Sequence, residues 1–391
     1  MSVVRIVDIR EQRLSLRSEI ENAWISFQEM DTSMVAVVSD LNRNGKPIVG
    51  FGFASNGRYA QSGILRDRII PRVLGADPET LVDETGENID PHRVWDAAMR
   101  NEKPGGHGER SVAVGILDMA VWDLAAKIAD LPLYQFIADR YGDGSADPRV
   151  HVYAAGGYYA PGRTLTDLAD EMRGYLDAGY GVVKMKIGGA SLSADLERIE
   201  AVLGVVGTGQ RLAVDANGRL DGSQALLFAR ALEPYGLRWF EEPGDPLDYA
   251  LLHDVADVYP WPLATGENLF SSQDVQNLLR YGGLRPQTDV LQMDPSLSYG
   301  IVEYLRMLDD LRASGWSPSR CIPHGGHQLT LHLAAALHLG GNESYPGVFQ
   351  PIGGFADGAD IQDGYIRLDD APGIGIERKS ELYGRFRELL T

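Results

Sequence analysis

From Pro148 onward the chain alternates short apolar runs with longer amphipathic stretches, and this rhythm limits the fold more than any other feature. The runs stand at His151 to Ala155, Val182 to Ile187, Leu212 to Ala216, Trp239 to Glu242, Pro262 to Thr265, Val290 to Met293, Arg320 to Pro323 and Leu337 to Gly340. Helical patterns fill the intervals, as at Leu165 to Ala178, Ala194 to Val205, Ser223 to Leu232, Tyr249 to Val258, Ser272 to Leu279 and Ile301 to Leu311. Strands alternating with helices of this length predict βα units and a parallel sheet. Eight such strands in about 190 residues, none with the polar alternation of an edge strand, suit a closed barrel better than an open sheet.

The first 145 residues read differently. Strand-like stretches at Val3 to Val7, Met34 to Val38 and Ile48 to Phe53, the last two joined around Asn42-Arg43-Asn44-Gly45, predict an antiparallel opening. From Pro91 to Tyr141 the pattern is helical, with Ser111 as the expected N-cap of an apolar stripe through Val112, Ile116, Met119 and Ala120. The expected division is an α+β unit over 1–145, a barrel over 146–356, and a segment over 357–391 that returns to the first unit through Tyr365 to Leu368 and a final helix.

Charge narrows the function. With 36 basic and 55 acidic residues the formal charge is −19, which disfavours nucleic acid and anionic membrane surfaces as partners. No stretch approaches the roughly 20 apolar residues of a membrane span, the first thirty residues carry Arg5, Asp8, Arg10, Glu11, Arg13 and Arg17 instead of a signal core, and Cys321 is the single cysteine. A cytoplasmic location is expected. Only six of the basic residues are lysines: Lys46, Lys103, Lys127, Lys184, Lys186 and Lys379. Where a positive charge suffices this chain carries Arg, so a Lys marks places where a group able to lose its proton is useful.

In a barrel of this type the carboxyl ends of the strands carry the chemistry. The second strand ends in Lys184-Met185-Lys186, and strand alternation puts both lysines on the interior face with Met185 outward. The third ends at Asp215, the fourth at Glu241-Glu242, the fifth near Glu267, the sixth in Gln292-Met293-Asp294, the seventh in Pro323-His324 and the eighth in Asn342-Glu343. Singly, a carboxylate after a strand is an ordinary cap of the next helix. Three from consecutive strands aimed into one mouth repel by on the order of 10 kcal/mol unless a cation neutralises them. Asp215, Glu241 and Glu267 are therefore expected to hold a hard divalent ion, Mg2+ first. Lys186, its ammonium form disfavoured by Lys184 and the ion, is the candidate base. His324, its ring held by Asp294, is the second proton handler.

These residues resemble the enolase superfamily, in its mandelate racemase-like group, as does Leu131-Pro132-Leu133-Tyr134 after the long helix. The resemblance implies a modified TIM barrel, (β/α)7β, with an N-terminal α+β capping domain completed by the C-terminal tail. It also implies Mg2+ chemistry in which a base removes the proton alpha to a bound carboxylate and a hydroxyl on the next carbon leaves. Asp215, Glu241 and Glu267 would be the ligands, Lys186 the base, Lys184 a neighbour of the substrate carboxylate, and His324, oriented by Asp294, the acid. Glu343 would match an acidic hydrogen-bond donor. Four blocks, Ser55 to Tyr59, Asn101 to Arg110, Val152 to Tyr159 and Ser317 to Gln328, are similar to the D-tartrate dehydratases of that group, implying conversion of a small hydroxy diacid to oxaloacetate. Asn56, Lys103 and His107, on loops of the first unit, would then bind substrate, the last two grasping its distal carboxylate from a Gly-rich lid. A homo-oligomer is expected.

Other readings remain open on the residues alone: a dehydratase or racemase for another acid sugar such as galactarate, a metal-free Schiff-base lyase using Lys184 or Lys186, and a non-catalytic binding protein.

Overall fold

The structure, a computed structural model, describes residues 3–391. Its N-terminal part is an antiparallel sheet of β1 (Ile6–Ser15), β2 (Asp31–Arg43) and β3 (Lys46–Phe53), ordered β1-β2-β3. Asn44 and Gly45 turn β2 into β3 with φ of 53° and 76°, a left-handed pair that matches strand twist. The first strand begins at Ile6 and runs to Ser15, later than the apolar run at Val3 suggests. Short helices α1 (Ser62–Ile64) and α2 (Ile70–Leu74), with a π-helical turn between them, lead to α3 (Pro91–Ala98), α4 (Arg110–Ile128) and α5 (Leu133–Tyr141).

Helix α4 differs from the expected stripe. It starts at Arg110 behind Glu109, so Ser111 lies inside the helix, and it is buried on every side over Ser111–Lys127. It lies directly on β3: a Cβ at Gly50 or Gly52 would stand 2.0 or 2.2 Å from the carbonyl oxygens of Ala120 or Ile116. Glycine at these two positions lets helix and strand backbones touch.

The barrel follows, as β4 (Arg149–Gly156), α6 (Leu165–Asp177), β5 (Val183–Lys186), α7 (Leu192–Val206), β6 (Leu212–Asp215), α8 (Gly222–Leu232), β7 (Trp239–Glu241), α9 (Tyr249–Val258), β8 (Leu263–Thr265), α10 (Ser272–Tyr281), β9 (Val290–Leu291), α11 (Ile301–Ala313), α12 (Gln328–Ala336) and β10 (Asn342–Ser344). Strands β4 to β9 pair in parallel and in sequence, and β10 pairs with β4 in parallel to close the ring. The seventh strand is reduced to one parallel bridge, Leu291 with Cys321, continued by Ile322 N–H to Leu291 O at 2.9 Å and Gly340 N–H to Cys321 O at 2.8 Å. With that position counted, the ring is (β/α)7β. The run Leu337 to Gly340 is the end of α12 and its exit, and the eighth strand begins only at Asn342.

The tail divides. Strands β11 (Ile361–Gln362) and β12 (Tyr365–Arg367) form a hairpin whose β12 pairs antiparallel with β4, so Tyr365 to Arg367 join the barrel and not the first unit. Helix α13 (Ser380–Leu390) does return to the N-terminal sheet: Phe51 meets Tyr383 and Phe386 with ring centroids 6.0 and 4.6 Å apart. Among the described residues no helix is long and apolar enough to cross a membrane.

Candidate active site

Strand parity builds the site. In β5, Lys184 and Lys186 point inward while Met185 faces α6, its Cβ 2.5 Å from where a Cβ on Gly157 would lie. Asp215 ends β6 and Glu241 ends β7 in register with each other. Glu267 lies two residues past β8, beyond Gly266, whose φ of +131° puts the chain where only glycine is at ease. One carboxylate oxygen from each of Asp215, Glu241 and Glu267 lies within 4.8 Å of the others. None of the three is a helix cap. The helices that follow are capped by Asp221, Asp248 and Ser271, so the carboxylates stand free for another task.

The lysines lie against this triad. Lys186 Nζ donates to Asp215 Oδ2 at 2.5 Å, and Lys184 Nζ donates to Glu241 Oε1 at 2.7 Å while also facing Glu343 Oε1 at 2.7 Å. Burial alone would lower the pKa of Lys186, but Asp215, with Tyr158 and Glu267, together reverse it, and the ammonium form is favoured. The direction is opposite to that expected from Lys184 as neighbour: with no cation counted, the carboxylates dominate. Asp215 is held down in turn, its burial outweighed by the two lysines.

On the other flank His324 Nδ1 pairs with Asp294 Oδ2 at 2.9 Å, while Nε2 lies 3.4 Å from Glu267 Oε2 and 3.2 Å from the Tyr345 hydroxyl. Burial opposes its protonation, yet Glu267 and Asp294 together raise it to about 10. With no cation counted, the imidazolium form of His324 is favoured. Glu343 accepts from Gly325 N–H at 3.1 Å, and although burial raises its pKa, Lys184, His324 and Lys186 together bring it below the ordinary value. In this structure Glu343 acts as an acceptor toward Gly325 and faces Lys184.

The expected substrate loops are placed unequally. Asn56 is buried beside Ser55, whose hydroxyl lies 3.4 Å from Asn56 Oδ1. Lys103 is exposed and makes no ion pair among the described residues. His107 is engaged at the rim, its Nδ1 3.0 Å from the Tyr299 hydroxyl and its Nε2 3.1 Å from Asp274 Oδ2. The structure brings neither Lys103 nor His107 to the triad.

Several residues enter the site that the strand-end reading passes over. Trp239 Nε1 and Gln292 Nε2 donate to Glu241 Oε2 at 2.8 and 3.0 Å, fixing the oxygen that Lys184 leaves free. Asn217, at φ 48°, donates its backbone N–H to Asp215 Oδ1 at 2.8 Å. Arg58 of the N-terminal unit donates to Asn268, which donates to Glu242. Parity could have found Trp239, Gln292 and Tyr345, each two residues from Glu241, Asp294 or Glu343 along the chain. Arg58 and Asn268 have no such signal, because they meet only through the docking of the first unit.

The donor set suits a hard divalent cation: three carboxylates converge, all three ligand positions are oxygen, and Glu242, also buried here, has an oxygen without a partner. Asp215, Glu241, Glu242, Glu267, Asp294 and Glu343 outnumber Lys184, Lys186 and His324, and burial together with mutual repulsion raises the pKa of Glu241 and Glu242. Added positive charge would relieve this.

A two-layered α/β protein with an acid–base site at the mouth of a barrel is the class this geometry defines. Residues 167–382 match the family described as Enolase C-terminal domain-like. The chain is 31% identical to the arabinonate dehydratase of Saccharolobus solfataricus over 338 residues, 82% of each chain, and 27% identical to the L-talarate/galactarate dehydratase of Salmonella typhimurium over 353 residues, 88% of this chain and 81% of that one. Among solved structures, a racemase from Streptomyces coelicolor A3(2) with bound magnesium superposes with a TM-score of 0.77 at 25% identity, covering 98% of this chain and 99% of that one. The L-talarate dehydratase from Polaromonas sp. JS666 complexed with Mg and L-glucarate does so with 0.75 at 26% identity, covering 97% of both. The chain belongs to the enolase superfamily, with the mandelate racemase-like fold.

Proposed function

We propose that this protein is a Mg2+-dependent hydro-lyase that removes water from a small hydroxy diacid, with D-tartrate as substrate and oxaloacetate as product. The observation that carries the reading is the flanking of one carboxylate triad by two proton handlers, Lys186 at Asp215 and His324 at Glu267. Relatives that dehydrate arabinonate and talarate or galactarate support the reaction type. The diacid and its length rest on the loop residues Asn56, Lys103 and His107.

Asp215, Glu241 and Glu267 would hold the ion, which when bound supplies electrostatic stabilisation to negative charge developing on the substrate carboxylate. Lys184, paired with Glu241 and Glu343, stands beside that carboxylate and contributes fixed positive charge. Lys186 Nζ takes the proton from the carbon alpha to the carboxylate, for which it must first give up its proton. His324 Nε2, protonated and held by Asp294, gives a proton to the hydroxyl leaving the next carbon, so water departs and the enol product becomes the keto acid. Residues 1–145 act as the lid, with Lys103 swinging in from the Gly105-Gly106 loop to meet the distal carboxylate.

Incubating the protein and Mg2+ with a panel of stereodefined acid sugars while monitoring 2-keto acid formation tests this. D-Tartrate should be consumed. If another diacid is dehydrated and D-tartrate is not, the substrate assignment fails and the reaction type stands. Borohydride trapping of a carbonyl substrate on the protein would replace the whole reading with a Schiff-base lyase. A racemase reading is favoured by the Streptomyces coelicolor structure and by the same two-sided pair, and inversion of recovered substrate without keto acid would identify it.

A further inference from the structure

Ser296 joins the two parts of the molecule at the acid. Its hydroxyl lies 2.8 Å from Asp294 Oδ1, its own N–H donates to that oxygen at 2.9 Å, and the N–H of Ser55, from the N-terminal unit, donates to the hydroxyl at 3.2 Å. Asp294 uses its other oxygen, Oδ2, on His324 Nδ1. A serine hydroxyl has one proton, and a buried carboxylate is its strongest acceptor, so the hydroxyl donates to Asp294 and accepts from Ser55. It then also accepts from His327 Nε2–H at 3.4 Å, which leaves His327 Nδ1 bare, in keeping with that nitrogen being buried without a partner. Asp294, Ser296 and His327 are fully buried. The path is tight: a Cβ on Gly325 would lie 2.7 Å from His327 Nε2, 2.8 Å from Asp294 Oδ2 and 2.8 Å from Ser55 Oγ.

Ser55 is in turn anchored to the N-terminal sheet through Ala54, whose N–H donates to Ser33 O at 3.3 Å and whose carbonyl accepts from Thr32 Oγ1 at 3.2 Å. We infer that Ser296 is a positioning residue that transmits seating of the N-terminal unit, through Asp294, to His324, so that the acid is aligned only when Ser55 is docked. Movement of the Ser55 segment away from the barrel removes a donor from the Ser296 hydroxyl, and with it one of the contacts that hold the hydroxyl on Asp294 Oδ1. The capping unit would thus do more than cover the mouth, because a substrate that fails to seat it would also fail to meet an aligned acid.

The kinetic part of this inference rests on the hydro-lyase reading. Ser296→Ala, and the nearly isosteric Ser296→Cys in case the first does not fold, should lower kcat for dehydration about tenfold with KM unchanged, the loss expected for one hydrogen bond to a charged group. In D2O, substrate recovered from either variant should carry more deuterium at the alpha carbon per turnover than substrate recovered from the unaltered protein, because Lys186 still works while His324 does not. A purely structural role would lower exchange and dehydration in proportion, and that result, or an unchanged kcat, overturns the inference. A measurement without substrate separates the two proposals: the low-field proton NMR signal of His324 Nδ1–H, assigned by its loss in His324→Asn, should shift in Ser296→Ala. An unshifted signal overturns the role of Ser296 whatever the reaction proves to be, whereas absence of turnover on any acid sugar with a shifted signal overturns only the hydro-lyase reading.

Discussion

Lys186 Nζ and Asp215 Oδ2 lie 2.5 Å apart, so the proposed base and a proposed metal ligand neutralise each other across neighbouring strands β5 and β6. The pair separates two properties that a lysine provides at once, a charge to balance Asp215 and a proton that can leave. Lys186→Arg keeps the first and removes the second. It should retain the melting temperature and lose 2-keto acid formation by about 10²- to 10⁴-fold, the range for a lost general base. Retained turnover in the arginine variant would assign the proton transfer elsewhere.

Chelation should abolish turnover and Mg2+ should restore it. Mg2+ should also raise the thermal midpoint, by about 2.7 kcal/mol of added stability when the ion is present at about 100 times its Kd. Replacing Glu241 by Gln or Glu267 by Gln should remove that rise, since each takes one oxygen charge from a set whose ligand atoms lie within 4.8 Å. A midpoint that rises equally in both variants would place the ion elsewhere.

Lys103 is exposed and unpaired among the described residues, so its contribution should appear only with substrate. Lys103→Met is expected to raise KM for a diacid about tenfold, as loss of a charge-assisted contact does, and to leave the melting curve in place. Equal KM for a diacid and its monocarboxylic analogue in the unaltered protein would count against a lysine reaching the distal carboxylate.

His332 ties three segments together: Tyr134 N–H donates to its Nδ1 at 3.1 Å, and its Nε2–H donates to Ile374 O at 3.0 Å. Burial lowers its pKa to about 4. Because the folded value lies below the unfolded value near 6.5, the unfolded chain takes up the proton first, and stability present above about pH 6.5 declines as pH falls toward 4, by up to about 1.4 kcal/mol per pH unit for this group. Urea unfolding of the unaltered protein and of His332→Gln at pH 7 and pH 5 measures it. The variant should be less stable at pH 7 and lose less on acidification, and parallel losses would show that other groups set the acid limit.

The parity of Lys184 and Lys186, the ends of strands three to five and the Asp294–His324 pairing were legible because each depends on local rules: period two along a strand and the direction of a barrel strand. Burial of α4 on all sides, the reduction of the seventh strand to the Leu291–Cys321 bridge, and the diversion of Tyr365 to Arg367 onto β4 were not, since each is decided by what packs on a segment from far along the chain. The same holds inside the site. The residue types determined that carboxylates, two lysines and a histidine would gather at one mouth. The direction in which the surroundings push Lys186 and His324, the contacts of Glu343 and the link from Ser55 to Asp294 came only with tertiary structure, because the energy of a buried charge depends on the distance and dielectric between groups that only the closed barrel and its docked first unit bring within hydrogen-bond reach.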